Sequence, residues 1–114
     1  MKKTTNNEKL NLLLPELEKR IRETFGDKVK KIILYGSYAR GDYNKESDVD
    51  ILVVVDDNDL FRYRILRNEI VADFLDESGF FISIGIDDIK MFSTYKDIIP
   101  YYKNVANEGI TIYE

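Results

Sequence analysis

The sequence contains no histidine and no cysteine. Without imidazole there is no His general base, no Ser-His-Asp triad and no His zinc site. Without thiols there is neither a disulfide framework nor a thiolate metal site. That fits a reducing compartment, and a cytoplasmic location is expected. Acid–base or metal chemistry must then rest on carboxylates, Lys, Tyr or Ser. Long apolar runs are lacking too. The longest, Ile51 to Val55, is far too short to span a bilayer. The opening MKKTTNNEK has no apolar stretch behind it, so no targeting segment is expected.

What remains is an ordinary globular composition, 44% hydrophobic and 33% charged over 114 residues, which predicts one domain across 1–114. About residues 1–8 read as a flexible tail. The net charge of −4 is uneven. Residues 1–35 hold nine Lys/Arg against five Asp/Glu, and residues 36–114 hold eight against sixteen. A duplex-binding domain would show a basic face matched to phosphates, so nucleic acid is not the expected partner. An acidic site can meet a polyphosphate only with cations between them. Fourteen Phe and Tyr residues point to an interface, since aromatics are enriched there. A homo-oligomer is one expectation.

The elements alternate. Leu10, Leu13, Leu14, Leu17, Ile21 and Phe25 follow helical spacing. Pro15 belongs in a first turn, so the firm helix is expected from about residue 14, ending at Gly26. Residues 29–35 and 49–55 read as strands, the second buried on both faces toward its end. Asp59 is the expected N-cap of a helix through about residue 77, stopped by Gly79. Residues 80–86 read as a third strand and 88–106 as two helical pieces broken before Pro100. Residues 109–113 close as a short strand. This order predicts an α/β (α+β) fold, a mixed β-sheet flanked by helices.

One stretch carries chemistry: LYGSYARGDYNKESDVDIL, residues 34–52. Strand 29–35 delivers the chain to Gly36-Ser37, where a helical turn is expected to start. Glycine permits close backbone approach, and a helix N-terminus offers N–H groups to a phosphate. Ser37 adds a hydroxyl. Asp48 and Asp50, at i and i+2 in the next strand, project from one face. Such a pair suits a hard cation shared with substrate phosphates. A phosphate cradle beside a metal-binding carboxylate pair is apparatus for phosphoryl or nucleotidyl transfer. Alone, Gly-Ser is an ordinary turn and Asp-x-Asp a solvated strand end. Together, carboxylates this close repel unless a cation or basic group lies between them.

The segment GSYARGDYNKESDVDILVVVDD resembles the signature of Pol β-like nucleotidyltransferases: Gly-Ser, ten residues, then Asp-x-Asp. Ala39-Arg40-Gly41 and Ser47 sharpen the resemblance to the minimal nucleotidyltransferases, which are short prokaryotic proteins often encoded beside a HEPN-family toxin. The resemblance implies Mg2+ (or Mn2+), ATP or another nucleoside triphosphate, and transfer of AMP to a tyrosine of the HEPN partner, which silences it. It implies that Gly36 and Ser37 hold the β and γ phosphates and that Asp48 and Asp50 bind metal. Arg40 either pairs with phosphate or forms an ion pair with Asp42 or Glu46. Ser47 caps the approach to the strand.

One departure matters. Catalytic members carry a third carboxylate on the strand corresponding to 80–86, and this stretch has no acid. Phe81 is the closer alignment to that place and Ser83 the alternative. Asp87 and Asp88 are expected just past the strand, beginning the next helix. Asp73, Asp76 and Glu77 are expected on the solvated face of the preceding helix. Tyr101, Tyr102 and Tyr113 are expected in packing or a partner surface, and Lys28 to Lys31 as a charged strand entry. Two functions stay open: a nucleotidyltransferase acting as antitoxin, or a nucleotide- and partner-binding module with little chemistry. Aminoglycoside transfer is less well matched, because no substrate domain follows the core.

Overall fold

A computed structural model describes residues 4–114. The first helix, α1, spans Glu8–Phe25, six residues earlier than Pro15 implied. The Asn7 side chain accepts from the Leu10 N–H at 2.9 Å and caps it. Ahead of the cap, Thr5 is buried and bonded to Asn11 through both its N–H and its hydroxyl. Of the expected tail, residues 1–3 lie outside the described residues. Pro15 removes one donor from the helix interior. Burial of Leu10, Leu14, Leu17, Ile21 and Phe25 along one face outweighs it.

Strand β1 (Val29–Tyr35) leads through Gly36 into the single turn α2 (Ser37–Arg40). Strand β2 (Val49–Val55) and helix α3 (Phe61–Ser78) follow. The N-cap of α3 is Leu60, which makes no side-chain cap bond, and not the expected Asp59, which stands one residue earlier and accepts from the Phe61 N–H at 3.3 Å. Gly79 closes α3 in a left-handed conformation.

Strand β3 spans Ile82–Asp88, two residues later than predicted, because its parallel pairing with β2 runs on to Val54–Asp87 and Val55–Asp88. Asp87 therefore lies inside the strand. Asp88 ends it and caps helix α4 (Ile89–Tyr95). Helix α5 (Pro100–Glu108) carries its proline where it is tolerated, and β4 (Ile110–Tyr113) completes the sheet.

The four-stranded sheet has the order β3-β2-β1-β4. Strand β1 is antiparallel to β2 and β4, and β2 is parallel to β3 through the α3 crossover. One face carries the main core: Leu17, Ile21 and Phe25 of α1 and Tyr63, Ile70 and Phe74 of α3 meet Ile32, Ile51, Val53 and Ile84. Arg20 and Asp73 form an ion pair across α1 and α3, so Asp73 is not simply a solvated residue. The other face has a smaller cover, in which Phe92, Tyr102 and Val105 pack on Ile33, Leu52 and Val54. The rest of that face is open and carries the side chains discussed next.

Candidate functional site

Strand alternation places Asp48, Asp50, Leu52 and Val54 on the face away from the main core. Leu52 and Val54 are sealed by α4 and α5, whereas Asp48 is exposed and Asp50 half-buried. Antiparallel and parallel pairing set Tyr35 on one side of Asp50 and Ser83 on the other. The row Tyr35–Asp50–Ser83 thus crosses three strands. Phe81 lies just before β3, where its carbonyl accepts from the Val49 N–H at 2.8 Å, and its side chain is exposed. Register therefore puts Ser83, not Phe81, directly beside Asp50.

The Gly36 turn meets this row. Its φ of 77° with ψ of −158° is a region only glycine adopts readily. A Cβ there would overlap Oδ2 of Asp50, so the missing side chain lets the backbone lie against the carboxylate. The Gly36 carbonyl accepts from the Ala39 and Arg40 N–H groups at 3.0 Å, and the Ser37 carbonyl accepts from Gly41 and Asp42. Buried Tyr38 stacks on Tyr43 at 4.2 Å and meets Phe80 edge to face. These rings fasten the loop that returns to Asp48. Within that loop, Ser47 Oγ accepts from the Asn44 N–H at 3.0 Å. Ser47 thus closes a turn before the strand.

Burial, and after it the Asp48 charge, push the Asp50 carboxyl above the usual carboxylate range, while Arg40 pulls it down. Arg40 itself is bonded to Asp42 at 3.2 Å and Glu108 at 3.0 Å. The ion-pair reading holds in this structure, with Glu108 of α5 in place of Glu46. Neither Asp48 nor Asp50 accepts a hydrogen bond from a described residue. Two unpartnered carboxylates on one face, beside a backbone cradle, fit a hard divalent cation with oxygen ligands. Among the described residues no cluster of three or more metal-ligating side chains forms. Asp87 shares the face of Ser83 but lies four residues further along β3, roughly 13 Å at the usual strand rise. It accepts from Tyr102 instead.

The sequence profile of the nucleotidyltransferase domain family matches residues 14–110. The chain belongs to this nucleotidyltransferase family. A Methanocaldococcus jannaschii protein named as a candidate protein adenylyltransferase, MJ0604, is 35% identical over 100 residues, covering 88% of this chain and 94% of that protein. The protein adenylyltransferase MntA of Thermococcus cleftensis is 46% identical over 46 residues, covering 40% of this chain and 44% of that one. One chain from each of two solved complexes shares the fold. The toxin–antitoxin pair MntA–HpeT matches with a TM-score of 0.61 at 20% identity, over 88% of this chain and 72% of that one. A tri-AMPylated Shewanella oneidensis HEPN toxin with its MNT antitoxin matches with a TM-score of 0.56 at 21% identity, over 90% of this chain and 70% of that one. The mixed sheet flanked by helices is thus the nucleotidyltransferase architecture, as the motif implied.

Two neighbours of the site escaped the sequence reading. Tyr35, at the end of β1, and Tyr101, expected only in packing or a partner surface, meet with their hydroxyls 3.0 Å apart. The position of Tyr35 before Gly36, on the same alternation as Asp50 across the pair, was a usable signal. The approach of Tyr101 across the fold was not. Tyr102 packs edge to face on Phe92, and the ring of Tyr113 lies under the Arg22 guanidinium, both structural roles. Among the described residues no helix is long and apolar enough to cross a membrane.

Proposed function

We propose that this nucleotidyltransferase transfers AMP from ATP to a protein hydroxyl, with a tyrosine of a HEPN-family toxin as acceptor, and so acts as an antitoxin. The observation that carries this reading is the unpartnered Asp48–Asp50 pair, with Asp50 lying against the Gly36 backbone. MntA of Thermococcus cleftensis bears the name of the activity. Matching solved structures are toxin–antitoxin complexes, one of them with AMP-PNP.

In this reading Gly36 and Ser37 hold the β and γ phosphates through backbone and hydroxyl donors. Asp48 and Asp50 hold Mg2+ or Mn2+, which when bound neutralises phosphate charge. Arg40 sits in exposed ion pairs, which are weak, so a phosphate can draw it away from Asp42 and Glu108. The acceptor oxygen attacks the α-phosphorus, the bond to the β-phosphate oxygen breaks, and pyrophosphate leaves. Ser83 is not a base at neutral pH, so the acceptor proton passes to water or to a group on the partner.

A second reading has its own observation. With the acid-free Ser83 beside Asp50 and no acid at Phe81, the chain binds nucleotide and partner but transfers slowly. One experiment separates the two. The chain is incubated with a HEPN-family protein, Mg2+ and labelled ATP. Label on a partner tyrosine, lost with Asp48→Asn and Asp50→Asn together, supports transfer. Tight co-purification without label supports the binding module. Light scattering of the chain alone tests the homo-oligomer, for which exposed Phe61 and Ile65, one turn apart on α3, provide apolar surface. A clean monomer that does not co-purify with the HEPN protein would count against both kinds of association.

A further inference from the structure

The Tyr35–Tyr101 pair has no part in the steps above, yet it stands against the carboxylates. Tyr35 is the register partner of Asp50 and the residue before Gly36. Tyr101 comes from α5, and its ring meets that of Tyr35 edge to face at 5.6 Å. Space for it is reserved in β3. A Cβ on Gly85 would lie 3.3 Å from the Tyr101 hydroxyl, tighter than ordinary packing allows. Glycine inside a strand often marks a close approach of this kind. Each tyrosyl hydroxyl has one proton to donate. Tyr101 donates to Tyr35 at 3.0 Å, so the pair uses one of its two protons internally. The second, on Tyr35, is in no hydrogen bond to a described residue, and the bond between the pair is exposed.

We propose that the Tyr35 hydroxyl donates this proton to an oxygen of the bound nucleotide, on the phosphate chain or the ribose. Tyr101 is the positioning residue that fixes its direction. The geometry supports it. A phosphate held at Gly36–Ser37 and shared with Asp50 lies between the residue that follows Tyr35 and the one paired with it. Gly85 keeps Tyr101 in place, and Tyr101 orients Tyr35 by occupying one acceptor site on its oxygen. The inference rests on the reading of this site as a nucleotide site.

The test is calorimetric titration with Mg-ATP, Mg-2′-deoxy-ATP and Mg-tripolyphosphate. The proteins are wild type, Tyr35→Phe, Tyr101→Phe and the Asp48→Asn, Asp50→Asn double variant, each with a melting curve. Tyr35→Phe is expected to weaken Mg-ATP by roughly threefold or more, the scale of one ordinary hydrogen bond at the low end and of one to a charged oxygen above about tenfold. Tyr101→Phe, which keeps the donor but frees it, is expected to weaken Mg-ATP less. An equal loss with tripolyphosphate identifies a phosphate oxygen. A loss with both nucleotides alone identifies a ribose oxygen other than the 2′ hydroxyl, and a loss with ATP alone identifies that hydroxyl. A purely structural role would lower the melting temperature and leave affinity untouched, which overturns the proposal. So does a Tyr35→Phe protein that binds Mg-ATP like wild type while the double Asn variant does not, and in that case the nucleotide site itself stands. Undiminished Mg-ATP binding by the double Asn variant overturns both. If Tyr35→Phe fails to fold, Tyr101→Phe decides, and wild-type affinity there overturns the pair.

Discussion

The Asp50 carboxylate occupies the space that a side chain at position 36 would need. Gly36 is therefore fixed twice, by its neighbour and by its backbone, whose φ of 77° and ψ of −158° strain any other residue. Gly36→Ala is expected to cost about 1–3 kcal/mol in denaturant unfolding and to displace the Asp50 carboxylate. A variant with wild-type stability and undiminished Mg2+-stimulated nucleotide binding would contradict this.

Asp50 is held in a state the fold disfavours. Its folded pKa is raised, first by burial and then by Asp48. Such a group favours folding below its unfolded pKa, and that contribution is lost as pH rises through the folded value. At neutral pH Asp50→Asn is thus expected to melt at or above the wild-type temperature, with the difference closing as pH falls toward about 4. The double Asn variant is expected to keep its fold and lose the gain in nucleotide affinity given by Mg2+ or Mn2+. Circular dichroism melts across pH and calorimetry with and without metal measure both effects.

Placing a carboxylate beside Asp50 tests whether a missing base limits transfer. Because Ser83 is the register partner of Asp50, Ser83→Asp is expected to raise transfer to the acceptor, toward the 10²–10⁴-fold that a positioned base typically supplies. Nucleotide affinity should change little. Phe81→Asp, one register step away at the strand entry, is expected to do less. Rapid transfer by the unmodified chain, dependent on Asp48 and Asp50, would show that another group already supplies the base.

At the far end of β2, Asp57 accepts from the Asp59 N–H at 3.0 Å and from the Tyr63 hydroxyl at 2.8 Å. These bonds, the backbone one first, hold its carboxyl below the ordinary range. Its contribution to stability is present above the unfolded pKa and is lost as pH falls through the folded value. Asp57→Asn is therefore expected to be less stable than wild type at neutral pH, with the gap narrowing below about pH 4. Parallel unfolding curves at neutral and acid pH check it.

The strands, the crossover helix and the motif were legible because each is written locally. Period-two alternation places Asp48 and Asp50 on one face, and Gly36 announces its turn. The start of α1 was misread because Pro15 is an obvious local signal. The cap at Asn7 and the burial of Leu10, which outweigh it, depend on the rest of the fold. The place of β3 slipped by two residues for a related reason. Phe80 and Phe81 look like strand residues, but parallel pairing with β2 decides where the ladder runs, and with it that Ser83 faces Asp50. The link from Arg40 to Glu108 and the arrival of Tyr101 join residues more than sixty positions apart, and no spacing rule reaches that far.

The two faces of the sheet divide labour in a way that bears on how such a chain changes over generations. Nearly all the apolar mass that α1 and α3 bury lies on one face, while the row Tyr35–Asp50–Ser83 sits on the other, partly open to water. Mutations along that row draw on little of the packing that holds the protein together. Reactivity can therefore drift, fade or be regained one residue at a time while the scaffold persists. The layout lets the residue beside Asp50 change without drawing on the core that holds the sheet and its helices together.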